Sequence, residues 1–226
     1  MKKIYWTIFF AIILAAELTG IQLENGTIQF IFKPLLMVVI GGYFLSQTNH
    51  ITNSLKGWII SALFFSWLGD ILLMFQPKND TFFLLGLSAF LLAHVSYIIF
   101  FHGVRVRENI RSNILLLLIV VIYYAILITI LSPYLGDMKL PVRIYGIVIS
   151  FMFMLAMHML FIKNKIAGRW MMTGALLFVI SDSVLAINKF YQPVEASGII
   201  IMLSYALAQL FIIEGSSRYI TSDYKE

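Results

Sequence analysis

The sequence predicts an all-α polytopic membrane protein, one domain over residues 1-226 built as a bundle of eight transmembrane helices. Three observations carry that expectation. Of 226 residues, 61% are hydrophobic and 12% charged, against about 45–50% and about 25% in a soluble domain; the mean hydropathy is +0.92. The apolar residues fall into eight runs of roughly 17–25 residues, the length one helix needs to cross a bilayer. The connections are short and carry helix breakers, so no linker or low-complexity segment marks off a second domain.

The first run, Ile4–Leu23, follows Met1, Lys2 and Lys3 as a signal peptide would. It lacks a small-x-small cleavage site and carries Glu17, so it reads as a retained span. The second, Ile28–Ser46, has Lys33 and Pro34 near its start, and the third, Gly57–Gln76, holds Asp70 in its second half. Pro77, Lys78, Asn79 and Asp80 break the chain before the fourth, Thr81–His102, which lines up Gly86, Phe90, His94 and Tyr97 on one face. The fifth, Asn113–Leu131, offers only Tyr123, Tyr124 and Thr129, and is expected at the periphery. After Ser132, Pro133, Gly136 and Asp137 comes the sixth, Pro141–Ile162. The seventh, Trp170–Tyr191, aligns Gly174, Phe178, Ser181 and Asp182. Beyond Gln192 and Pro193 the eighth, Val194–Gly215, presents Tyr205 and Gln209. Small residues on these faces permit close helix approach, and the polar ones can bond across the bundle.

The formal net charge of +5 does not point to nucleic acid, because the basic residues cluster in short loops with no stripe of interleaved aromatics. Eleven of the 16 Lys and Arg residues fall at the termini and in the second, fourth and sixth loops. That asymmetry predicts both termini in the cytoplasm and a place in a cell membrane, the inner membrane of a bacterium. There is no cysteine, which excludes disulfides, thiolate metal sites and a cysteine nucleophile.

Charges inside the spans are the functional signal, since a lone charge at the bilayer centre costs roughly 2.5–3.5 kcal/mol on insertion scales. Glu17, Lys33, Asp70 and Asp182 come out on the order of 8–14 Å below the non-cytoplasmic boundary at about 1.5 Å per residue. One depth on four helices predicts a shared polar pocket. His94 sits deeper, with Tyr97, Tyr205, Gln209 and Ser181 as supporting groups and Asn188 and Phe190 at the pocket mouth. Arg143, His158 and Lys189 lie near span ends, where they are expected to snorkel to an interface. Asp70 and Asp182 are 112 residues apart, almost half the chain. That spacing raises a parallel four-plus-four repeat, against a chance likeness of two apolar helices bearing one acid each.

The sequence holds no G-x-S-x-G elbow, no H-E-x-x-H and no phosphate loop. His94 and the two Asp residues could supply three metal ligands, but from separate helices without diagnostic spacing, and no cofactor is called for. Two buried carboxylates in different environments can divide the roles of acid and base. The plainer alternative is that they are structural, paired with Lys33 or Lys189.

Glu17, the Lys33-Pro34 step, Gly69-Asp70, the Gly86, Phe90, His94 and Tyr97 face, the stretch Gly174–Phe190 (GALLFVISDSVLAINKF), Tyr205 and Gln209 together resemble the YhhN-like family of membrane proteins. The likeness covers nearly the whole chain in order. It implies a lysoplasmalogenase, hydrolysing the vinyl-ether bond of a lysophospholipid drawn from the membrane lipid; that Asp70 and Asp182 are the catalytic pair is the expectation from the buried acids themselves. The residues alone leave two other functions open: a small ion-coupled transporter, because intramembrane acids in repeated halves also mark transport sites, and a non-catalytic lipid-binding protein.

Overall fold

Asparagines start three helices in the computed structural model of the chain, which describes residues 3–79 and 81–223. The Asn25 side chain accepts from the amides of Thr27 and Ile28 at 3.0 and 3.2 Å and starts α2 (Gly26–Thr48). Asn113 does the same for α5 (Ile114–Leu131) and Asn164 for α7 (Lys165–Ala186). Such caps satisfy amides that a helix start leaves unbonded. The remaining helices are α1 (Lys3–Gln22), α3 (Lys56–Met74), α4 (Thr81–Arg107), α6 (Lys139–His158) and α8 (Ser197–Asp223). Among the described residues there is no strand, and all eight helices are long and apolar enough to cross a membrane. The protein is therefore all-α and multi-pass. Lys2, Asp80 and Lys225, which enter the charge and turn readings above, lie outside the described residues.

The helix ends depart from the apolar runs. α4 continues to Arg107 and α8 to Asp223, since helical hydrogen bonding does not stop where hydrocarbon does. α7 ends in a π-helical turn, Ile187–Tyr191, with no counterpart in the sequence reading. π turns of this kind are frequent at functional sites.

The helices pack in a regular scheme. α1 lies on α2 and α5 on α6; α3 pairs with α4 and α7 with α8; α2 touches α3 and α8, and α6 touches α7 and α4. The α3–α4 and α7–α8 contacts are the most extensive, and in both a glycine lets the helices approach closely. A Cβ on Gly69 would stand 2.7 Å from the Phe90 ring, and one on Gly174 would stand 2.7 Å from the Ala208 carbonyl oxygen. α5 is peripheral as expected, with only Val120 and Leu131 buried among its residues. In the centre, the Tyr97 hydroxyl donates to Gln209 Oε1 (2.5 Å), and Gln209 Nε2 donates to Ser66 Oγ (2.9 Å). This fully buried chain ties α4, α8 and α3 together, where no water competes for the same groups.

Candidate active site

Asp70 sits at the meeting of α2, α3 and α8, only 1% exposed. The Tyr205 hydroxyl donates to its Oδ2 at 2.7 Å, and Lys33 Nζ lies 3.9 Å from Oδ1. Pro34 follows Lys33 inside α2, so the helix there loses one backbone N–H and leaves a carbonyl unbonded. Glu17, from α1, is equally buried and within electrostatic reach of both Lys33 and Asp70. Neither of its carboxylate oxygens has a hydrogen-bond partner among the described residues.

Asp182 forms a second centre. The Tyr145 hydroxyl donates to its Oδ2 at 2.5 Å, and His94 Nε2 lies 3.4 Å from the same oxygen and 2.9 Å from the Tyr145 hydroxyl. With the Tyr145 proton directed at the carboxylate, the His94 Nε2–H is the donor to the phenol oxygen, giving an ordered run from imidazole to phenol to carboxylate. Asp182 also lines a cavity walled by Tyr123 and Leu127 of α5, Val142 and Ile149 of α6, and Ala186 of α7. About 40 Å³ of this space is open to a water molecule's centre, enough for a small number of waters where polar partners exist. The walls are otherwise largely apolar.

The four-residue pocket expected from depth alone thus resolves into two clusters: Glu17, Lys33 and Asp70 in one, Asp182 with His94 in the other. Edge-to-face rings connect them, from His94 to Phe178 (4.7 Å between centroids) and from Phe178 to Tyr205 (5.5 Å). Tyr97 and Gln209 stand in the central hydrogen-bond chain described above. Ser181 donates to the Ile201 carbonyl (3.0 Å), which ties α7 to α8. Asn188 caps a turn, its Oδ1 accepting from the Val194 amide, and so holds the loop before α8. Lys189 Nζ lies over the Phe83 ring. His158 does not snorkel: it is 1% exposed, accepts from the Asn113 amide at Nε2 and bonds the Met154 carbonyl through Nδ1. A ring with both nitrogens bonded has no reason to leave the interior. Among the described residues, no three His, Cys, Asp or Glu side chains gather as a metal site.

Sequence reasoning missed Tyr145, a phenol within the apolar sixth run. A signal was present. Tyr145 follows Lys33 by 112 residues, the same separation as Asp182 from Asp70. Tyr97 and Gln209, which bond each other, share that separation too.

The family model named YhhN matches residues 28–216. The chain belongs to the YhhN family. Its relatives include proteins named lysoplasmalogenase: one from Mycobacterium tuberculosis is 29% identical over 88% of this chain and 73% of its own. Lysoplasmalogenase TMEM86A of Bos taurus is 34% identical over 74% of this chain and 69% of its own, and human lysoplasmalogenase TMEM86B is 32% identical over 80% and 71%. Lys33, Asp70, His94, Tyr145, Asp182 and Tyr205 all lie within the matched part, and Glu17 precedes it. No solved structure matches significantly.

Proposed function

We propose that this protein hydrolyses the vinyl-ether bond of lysoplasmalogens inside the membrane, with Asp70 and Asp182 dividing the acid and base work. The observation that carries the reading is the placement of the Asp182 carboxylate, braced by Tyr145 and His94, in the wall of a largely apolar cavity with room for water. The relatives named lysoplasmalogenase support the substrate class.

The chemistry suits the groups. Vinyl ethers hydrolyse when a proton is delivered to the alkenyl carbon distal to oxygen, leaving an oxocarbenium ion. Water adds to the carbon bearing oxygen and gives up a proton. The resulting hemiacetal breaks its C–O bond, releasing fatty aldehyde and the glycerophospho head group. One water is consumed. An acid and a carboxylate acting from separate positions are what this sequence of steps needs, as in glycosidase pairs. The Tyr145 bond ends on Asp182 Oδ2, the oxygen His94 also approaches, so Oδ1 retains lone pairs for the incoming water. Lys33 supplies a cation beside Asp70, for the carboxylate or for a substrate phosphate.

The two centres read as related. In each, an Asp from the third helix of one half meets a group from the second helix of the same half and one from the fourth helix of the other half: Lys33 and Tyr205 for Asp70, Tyr145 and His94 for Asp182. The helix pairings described above match under the same exchange, which supports a parallel four-plus-four repeat within a single domain. The replacement of a lysine by a tyrosine and of a tyrosine by a histidine makes the two acids unequal, as a division of labour requires. With eleven of 16 basic residues on the side of the termini, both termini face the cytoplasm of a bacterial inner membrane.

Asp70→Asn and Asp182→Asn keep shape and remove the ionisable proton. Each should lower aldehyde release from lysoplasmalogen by about 10²–10⁴-fold, with membrane insertion and lysolipid binding retained. Near-normal release from both variants would make the acids structural and end this assignment.

A further inference from the structure

A separate cluster of charged side chains lies at the opposite end of the bundle from Asp70. Lys3 begins α1, Tyr43 lies late in α2, and Glu214 and Arg218 lie late in α8. Glu214 is nine residues beyond Tyr205 on one helix, about 13 Å along its axis. There the buried Glu214 carboxylate accepts from Lys3, Tyr43 and Arg218. Two adjoining cavities share these four side chains, one reaching into apolar residues such as Phe10, Val39 and Leu210, the other opening to the polar end.

The cleft has a surplus of one kind of group. Glu214 is served by three donors, yet Lys3 and Arg218 keep further N–H groups, and their side chains are 48% and 41% exposed. Ser217 lines the polar cavity, is 4% exposed, and its hydroxyl has no partner among the described residues. Trp6 lines the apolar cavity, and its indole N–H likewise has none. Two cations stand against one carboxylate. A ligand completing this cleft must be an anion, bear acceptors without donors, and carry an apolar tail. A phosphodiester on an acyl-bearing glycerol meets all three conditions.

We propose that this cleft binds a glycerophospholipid of the surrounding bilayer, its phosphodiester at Lys3, Arg218 and Ser217 and one acyl chain along Trp6, Phe10 and Leu210. The site is separate from the Asp70 and Asp182 centres and does not depend on their assignment. Its role is to fasten the first helix to the last through a bound lipid.

Detergent-purified full-length protein, delipidated and followed by thermal unfolding, tests this. Added phosphatidylglycerol should raise Tm by roughly 5 °C at saturation. Diacylglycerol with the same chains, or inorganic phosphate alone, should leave it unchanged. Trp6→Phe and Ser217→Ala remove donors that have no internal partner; whatever the lost Trp6 ring volume costs the lipid-free Tm, the lipid-induced shift should fall by half or more. Lys3→Gln with Arg218→Gln should abolish it, and Asp70→Asn should retain it in full. An equal shift from diacylglycerol or from free phosphate overturns the proposal, as does an undiminished phosphatidylglycerol shift in the Trp6→Phe, Ser217→Ala protein.

Discussion

Replacing Tyr145 by phenylalanine removes one oxygen and almost no volume, yet that oxygen stands between two groups of the candidate site. In the structure it donates to Asp182 Oδ2 at 2.5 Å and lies 2.9 Å from His94 Nε2. Hydrogen bonds to charged groups are worth about 1.5–3 kcal/mol, and each 1.36 kcal/mol is about tenfold in rate. Loss of this bond in the transition state therefore sets a range of about 10- to 150-fold. His94 Nε2, already 3.4 Å from the same carboxylate oxygen, can close on it and recover part, so we expect kcat to fall by about 10- to 50-fold. A merely structural bond between membrane helices averages about 0.6 kcal/mol; on its own it would lower Tm by about 1–2 °C and leave kcat alone. Aldehyde release at saturating lysoplasmalogen, measured beside Tm, separates the two. A kcat within twofold of the parent protein would refute the idea that Tyr145 positions Asp182 for reaction.

The other expectations are more direct. Glu17→Gln loses no internal hydrogen bond, because the Glu17 oxygens have no partner among the described residues; its Tm should hold or rise, whereas Lys33→Met should cut turnover by about three- to tenfold through loss of one ion pair. Gly174→Leu would drive a Cβ to 2.7 Å from backbone atoms of α8 and should abolish recovery of folded protein, while Gly41→Ala, with nothing within 4 Å, should be recovered normally. A cysteine at exposed Asn79 should react with an impermeant thiol reagent from outside intact cells, and one at exposed Asn109 only after lysis; the reverse result inverts the topology.

Eight spans were legible because about twenty consecutive apolar residues suit the interior of a bilayer and little else. Their ends were not: once α4 and α8 leave hydrocarbon, nothing in composition distinguishes helix from loop, and both run on for several residues. The acids were legible for the converse reason, that a carboxylate in an apolar run demands a partner. The partners were harder. Tyr205 and His94 stand on polar faces that spacing reveals, whereas Tyr145 sits in a run where a phenol is ordinary. Depth placed Glu17, Lys33, Asp70 and Asp182 on one level but could not say how they are divided around the bundle, because rotation about the axis depends on packing. The π turn after Ala186 left no trace in the sequence.

The loosely held fifth helix has a kinetic consequence. It buries Val120 and Leu131, is fastened by Tyr123 to Ser183 (2.7 Å), and forms the peripheral wall of the Asp182 cavity. A single-chain substrate entering past such a wall arrives by lateral diffusion in two dimensions. Its effective concentration is then a mole fraction in the bilayer. At constant bulk substrate, diluting the vesicles with inert phospholipid should slow the reaction in proportion, as though the membrane itself were the reaction volume.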